Sequence, residues 1–184
     1  MIRARVTLSA LSLAVLSLAA CGGATPDEQS DSISQDSNAP PDTLVDAGLW
    51  RGKRPDAAEL QKLKGMGVRT IIDLEDDSRA VNAERPIAQR LGMTFISEPM
   101  SGFWTPSGAQ VDRIETLLAN PKLYPMFVHC QHGQDRTGIV IGLHRIEHDG
   151  WTPKAATKEM LGMGFHKLLV FLWHYWEEKS GYDD

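Results

Sequence analysis

The order of apolar and polar positions divides the chain into short strands alternating with amphipathic helices. Leu49-Trp50-Arg51 has the composition of a short strand. Leu60 and Leu63 share one helical face behind Pro55-Asp56-Ala57-Ala58-Glu59, where Asp56 and Glu59 stand in capping-box order. Gly65 and Gly67 end that helix. Val68 to Leu74 is rich in β-branched residues and predicts a central strand. A helix is expected over 80–91, broken at Pro86, and then a strand over 93–97. Glu98 to Ser107 reads as a loop. Val111, Ile114, Leu117 and Leu118 mark a helix that stops before Asn120-Pro121. Met126-Phe127-Val128 is a short buried strand, and Ile139, Val140, Ile141 and Leu143 form the buried face of a helix over 137–148. Thr152-Pro153 is an N-cap with proline behind it, opening a helix to about Leu161. Residues 166–179 close the chain as an aromatic amphipathic helix. No repeat is visible. This alternation predicts a compact α/β domain, a mostly parallel twisted central sheet flanked by helices. Such sheets bind ligands at the carboxyl ends of their strands.

The first forty residues have a different character. Met1-Ile2-Arg3-Ala4-Arg5 is a positive n-region, and Val6 to Leu18 is an apolar stretch too short to span a membrane comfortably. Leu18-Ala19-Ala20-Cys21 resembles the lipobox of bacterial lipoproteins. That resemblance implies a signal peptide over 1–20, cleavage before Cys21, and acylation of Cys21. Gly22, where an Asp would signal inner-membrane retention, points to the outer membrane facing the periplasm. The expected location is therefore the bacterial cell envelope, held by a lipid anchor. Residues 22–42 are rich in Ser, Asp, Gln, Asn and Pro and read as a disordered tether. The folded domain is expected over 43–184.

The formal net charge is −5, and loss of Arg3 and Arg5 with the leader takes it to −7. An acidic chain is a poor general ligand for nucleic acid, so none is expected as a partner. Phosphate affinity must come from a local pocket. There are two cysteines, Cys21 and Cys130. With Cys21 acylated, Cys130 is the one remaining thiol, and no disulfide forms within the chain. We expect no metal and no cofactor: a single thiol does not make a zinc site, and cysteine chemistry requires neither.

The chemistry concentrates in His129-Cys130-Gln131-His132-Gly133-Gln134-Asp135-Arg136-Thr137-Gly138. A strand enters this stretch and a helix leaves it. Loop N–H groups and the helix dipole then converge on one centre and hold an anion there. The same field favours a thiolate at Cys130. This is the pattern His-Cys-x5-Arg-Ser/Thr, and the chain resembles the tyrosine and dual-specificity phosphatase superfamily of cysteine-dependent phosphatases. The likeness extends from Leu49 to Phe165. Trp50-Arg51, the Gly67 to Leu74 run, and Trp151-Thr152-Pro153 with Glu159-Met160 look like its bacterial dual-specificity branch.

The resemblance implies roles. Cys130 attacks phosphorus and becomes phosphocysteine. Arg136 grips two phosphate oxygens through its planar fork. The backbone of Gln131, His132, Gly133, Gln134, Asp135 and Arg136 cradles the phosphate, and Gly133 permits the tight path. Thr137 donates its hydroxyl to the Cys130 sulfur, and His129 orders the loop. The general acid stays open. Most dual-specificity phosphatases carry an Asp on an earlier loop, but Ser97 to Pro106 contains only Glu98. Asp135 is the first candidate, as in myotubularins and some secreted bacterial phosphatases, and Glu98 is the alternative. Lys53, Arg54, Arg79 and His166 are possible sources of further positive charge. Phe103, Trp104 and the Trp173-His174-Tyr175-Trp176 cluster read as core or loop packing rather than a recognition platform. The expected substrate is an inositol polyphosphate or phosphoinositide, with a phosphotyrosine protein as the alternative; the lysine-free loop weighs against the first. A rhodanese-like sulfurtransferase and a phosphate-binding pseudophosphatase are the rival classes.

Overall fold

The computed structural model describes residues 43–183. The leader, Cys21 and the tether lie outside them. Five strands form one sheet: β1 (Thr43–Asp46), β2 (Leu49–Lys53), β3 (Thr70–Asp73), β4 (Thr94–Ser97) and β5 (Met126–Cys130). Their order is β1-β2-β5-β3-β4. β1 runs antiparallel to β2, and the other pairings are parallel. Among the described residues six α-helices surround it: α1 (Ala57–Gly65), α2 (Ser78–Arg90), α3 (Gly108–Leu118), α4 (Asp135–Glu147), α5 (Pro153–Gly162) and α6 (Val170–Ser180). Among the described residues no helix is long and apolar enough to cross a membrane.

The local rules account for most of this. Asp56 accepts from Glu59 N while the Glu59 carboxylate accepts from Asp56 N, so the capping box forms. Thr152 caps α5 through Ala155 N, with Pro153 first in the helix. Three expectations are corrected. β1 was not foreseen; it pairs with β2 through a hairpin in which Gly48 has φ +96°. Pro86 does not break α2, which runs unbroken from Ser78 to Arg90. The hydrogen bond lost at Pro86 is offset by burial of Val81 and Ala88 on the same helix. Helix α6 begins at Val170 rather than near 166, because His166 bonds to Asp135 and the Lys167 ammonium sits 4.1 Å from the Trp173 ring centroid.

Alternation along β5 sends its side chains to opposite faces of the sheet. Met126, Val128 and Cys130 join Ile72, Leu74, Ile114, Leu118, Val140 and Ile141 on the α3–α4 side. Phe127 joins Leu60, Leu63, Ile71, Val81 and Phe95 on the α1–α2 side. Behind α4, Ile139 and Leu143 pack on Met160, Leu172, Trp173 and Trp176. The aromatic cluster of α6 is therefore core, as expected, apart from the exposed His174. Gly142 makes the α4–α6 approach possible, since a Cβ there would lie 2.6 Å from the Trp176 ring. Helix α4 is buried on almost every side from Arg136 to Arg145. It is the rigid post that carries the reactive loop.

Candidate active site

Cys130 ends β5, only 2% exposed, with Lys53 of β2 beside it in register. Five residues later the chain enters the first turn of α4. Asp56, Asp77, Ser107 and Thr152 cap the N-termini of α1, α2, α3 and α5 with side chains, whereas α4 has no side-chain cap. The first N–H groups of α4 thus lack intrahelical partners and an N-cap side chain at the end that faces the loop. Gly133 holds φ +70°, and a Cβ there would lie 2.4 Å from both the carbonyl carbon and oxygen of Gly52. The loop lies flat against β2, and glycine alone fits.

Arg51 pins the loop from beneath. It projects from β2 on the α4 side, 2% exposed, and its Nη2 donates to the Gly133 carbonyl at 2.8 Å. Its Nε and Nη1 are buried without hydrogen-bond partners. Burial lowers its pKa, while the charges of Glu159 and Cys130 act to raise it. This places a desolvated cation under the loop. Arg54 on the next turn of chain donates its backbone N–H to the Gln131 carbonyl at 3.3 Å and its Nη1 to Glu75 at 3.0 Å.

His129 faces the opposite side of the sheet from Cys130. It is fully buried; its Nε2 lies 3.1 Å from Glu84 of α2, and its Nδ1 lies 3.9 Å from Asp73, its register partner on β3. Burial pulls the imidazole pKa down, but the hydrogen bond and charge of Glu84, with Asp73 and Cys130, raise it further, so the net direction is up. Burial likewise raises the Asp73 carboxyl. The histidine is wedged between sheet and α2, held by Glu84 and Asp73 at the end of β5.

The other expected residues are spread more widely. Arg136 is buried, and its Nη1 donates to Asp76 at 2.8 Å, Met100 O at 3.1 Å and Leu74 O at 3.4 Å. Asp135, first in α4, accepts from His166 N at 2.8 Å and lies 3.1 Å from His166 Nδ1. Gln131 is exposed, His132 half-buried and Gln134 buried. Thr137 is fully buried, and its Oγ1 has no hydrogen-bond partner, so the expected bond to the Cys130 sulfur is not formed. Glu98 follows β4, two strands from β5, and its carboxylate lies 3.4 Å from Arg113 of α3. Two inter-strand steps of about 4.8 Å separate its backbone from the Cys130 level. Of the possible charges, Lys53 pairs with Glu59 at 3.3 Å, while Arg54 and His166 adjoin the loop.

Two features escaped the sequence reading. Asp76, half-exposed, is a carboxylate at the Arg136 guanidinium. Phe103 and Trp104 are not core: they are 49% and 59% exposed and cluster with Phe171 at ring separations of 4.9 to 5.6 Å. They follow Gly102, where a Cβ would sit 3.5 Å from Arg136 Cζ, so the aromatic cluster stands near the mouth of the loop.

Comparison with known proteins agrees with this geometry. Residues 25–167 match the family model PTP-NADK, described as a DSP-PTPase phosphatase fused to NAD+ kinase. Over 118 residues the chain is 29% identical to the dual specificity protein phosphatase TpbA of Pseudomonas aeruginosa, which covers 64% of this chain and 51% of TpbA. Over 127 residues it is 25% identical to the inositol diphosphatase DSP3 of Arabidopsis thaliana, covering 66% of this chain and 60% of that one. The chain therefore spans about half the length of TpbA. The core catalytic domain of the PP-IP phosphatase SIW14 from S. cerevisiae shares the fold, with TM-score 0.63 and 19% identity over 76% of this chain and 88% of that one. With the family model spanning the greater part of it, the chain belongs to the DSP-PTPase family of cysteine-dependent phosphatases.

Proposed function

We propose that the protein hydrolyses phosphomonoesters through a phosphocysteine intermediate, acting on inositol polyphosphates or related phosphoinositides. The observation that carries this is the buried Cys130 at the end of β5, facing the uncapped N-terminus of α4 with Arg136 in its first turn. The Cys130 thiolate attacks phosphorus, an S–P bond forms, and the ester P–O bond breaks. Asp135 gives a proton to the departing alkoxide, oriented by its two bonds to His166. Arg136 leaves Asp76 for the phosphate and tightens as charge builds on the equatorial oxygens. In the second step Asp135 takes a proton from water, the water oxygen bonds to phosphorus, and the S–P bond breaks. The unpaired Thr137 hydroxyl donates to the departing sulfur. The products are the alcohol and inorganic phosphate.

The substrate part of the proposal draws on the inositol diphosphatase and PP-IP phosphatase among the relatives, and on Arg54 and His166 beside the loop. The exposed Phe103–Trp104–Phe171 cluster favours a second reading, a phosphotyrosine side chain laid against aromatic rings, in line with the name of TpbA. Attachment to the bacterial envelope through Cys21 rests on Leu18-Ala19-Ala20-Cys21 alone. The test is phosphate release from inositol hexakisphosphate against a phosphotyrosine peptide, with Cys130→Ser and thiosulfate as controls. Preference for the inositol compound, abolished by serine, is expected. Preference for the peptide moves the protein to the second reading. Sulfur transfer from thiosulfate would overturn phosphoryl chemistry, and binding without release would make the domain a pseudophosphatase.

A further inference from the structure

A second group of polar side chains lies at the other end of α4, about 14 Å along the helix from its start. His144 and His148 stand four apart on α4, a spacing that puts both imidazoles on one face, and Glu115 of α3 faces them. This His-x-x-x-His pair is a metal-ligand spacing that the single-thiol argument for no metal leaves out of account. Glu115 Oε2 lies 3.7 Å from His144 Nδ1 and 4.0 Å from His148 Nε2. One ligand atom from each of the three residues lies within 4.8 Å of the others.

The burial of this group separates it from an ordinary surface pair. Glu115 is 6% exposed and His144 is 3% exposed. Both Glu115 oxygens and His144 Nδ1 are buried without a hydrogen-bond partner. A carboxylate in that state is costly unless something positive meets it. We propose that Glu115, His144 and His148 bind a divalent cation of the zinc class, with water in the fourth position.

The donor set of two imidazoles and one carboxylate suits zinc and its borderline neighbours rather than magnesium or calcium. Tetrahedral bonds of about 2.0–2.1 Å need donor separations near 3.4 Å, so the two Glu115 separations of 3.7 and 4.0 Å close by a few tenths of an ångström, and the two imidazoles, within 4.8 Å of one another, by up to about 1.4 Å. The other nitrogen of His144, Nε2, faces Asp46 Oδ2 of β1 at 3.7 Å. At that distance the two are not hydrogen-bonded, but the order carboxylate, histidine, metal is the one in which a short approach of Asp46 would fix the ligating ring. The competing trio of Asp46, His144 and Asp149 is less available, because Asp149 already accepts from Arg145 Nη1 at 2.9 Å. Two surface cavities flank the site. One, of about 290 Å³, is lined by Asp46, Tyr124 and both histidines; the other, of about 480 Å³, by Asp112, Glu115, Glu147 and His148. They provide an entry route and a local negative field for a cation. The bound ion ties α3 to α4 and, through Asp46, to β1, a clamp remote from the reactive loop.

The experiment is calorimetric titration of the full chain with Zn²⁺, using Cys21→Ser together with Cys130→Ser to remove thiolate binding. One Zn²⁺ per chain is expected, no Mg²⁺ at the same concentration, and an absorption-edge spectrum with two imidazole ligands. His148 is half-exposed, so His148→Ala keeps the fold, checked by its melting temperature without zinc. Both His148→Ala and Glu115→Gln should weaken binding by at least about 10-fold, since even outer partners of a ligand are worth 10–100-fold. Absence of zinc binding overturns the site. So does binding undiminished in either variant, which would place the ion elsewhere.

Discussion

Arg51→Met separates what stabilises the domain from what organises its loop. The guanidinium is 2% exposed and makes one charged hydrogen bond, 2.8 Å to Gly133 O, worth about 1.5–3 kcal/mol. Against this stand Nε and Nη1, both buried without partners, at about 1–3 kcal/mol each. Methionine is of similar length, leaves little cavity and relieves the desolvated charge. The Gly133 carbonyl loses its donor and returns part of that gain. Replacing buried ionic groups with apolar side chains is often neutral or stabilising by about 1–4 kcal/mol. The variant should therefore match the parent or exceed it by up to about 3 kcal/mol in urea unfolding at unchanged m value. Turnover should move the other way. Without Arg51 the loop loses its anchor and a cation beside Cys130, and kcat should fall by about 10–100-fold, or about 1.4–2.7 kcal/mol of barrier. Urea titration and p-nitrophenyl phosphate kinetics on one preparation decide it. A variant that unfolds several kcal/mol earlier yet turns over normally would refute the reasoning and make Arg51 a structural residue.

Three further perturbations probe the same frame. Gly133→Ala combines a left-handed backbone with contacts of 2.4 Å to Gly52 and should cost about 2–4 kcal/mol and most of the activity; stability within 1 kcal/mol of the parent would mean the loop is not seated on β2. His129 has a folded-state pKa above its ordinary 6.5, so its contribution is complete below 6.5 and is lost as pH rises through the folded value. The burial-raised Asp73 and Glu115 lose stability in the same direction from their ordinary 3.8 and 4.5 upward, and His144 is raised from 6.5 as His129 is, so the urea midpoint should fall as pH rises, and Glu84→Gln should flatten the His129 part of the slope above 6.5; an unchanged slope excludes the His129–Glu84 pair as a source. Asp135→Asn should cost about 10²–10⁴ on an alkyl phosphate and far less on p-nitrophenyl phosphate, whose leaving group needs no proton. If Asp76→Asn shows that pattern instead, the acid is Asp76, already 2.8 Å from Arg136.

Much of the fold follows from local signals. The capping box of Asp56 and Glu59, the Thr152-Pro153 start, and the apolar runs of β3 and β5 each form where the chain alone places them. The Cys130–Arg136 loop lies within one stretch of sequence and was legible for that reason. The partners that hold it were not. Arg51 meets Gly133 across 82 positions, Arg136 meets Asp76 across 60, and His129 meets Glu84 across 45. No periodicity couples such positions; the register of β2, β5 and β3 does. Phe103 and Trp104 pack in the loop, on each other and on Phe171, but tertiary structure is needed to show that among the described residues they stay about half exposed, since large aromatics usually bury. The His144–His148 spacing was present in the chain, but Glu115, which completes the group, comes from another helix.

The central claim is that Cys130 carries the phosphoryl group during turnover. Rapid acid quench of the enzyme with substrate, followed by mass analysis of the peptide that contains Cys130, tests this directly. The account predicts the added mass of one phosphoryl group on Cys130, absent in Cys130→Ser and accumulating in Asp135→Asn on p-nitrophenyl phosphate, where the second step is slowed. Full phosphate release with no phosphorylated Cys130 peptide at any quench time, or turnover that survives Cys130→Ser, would contradict it.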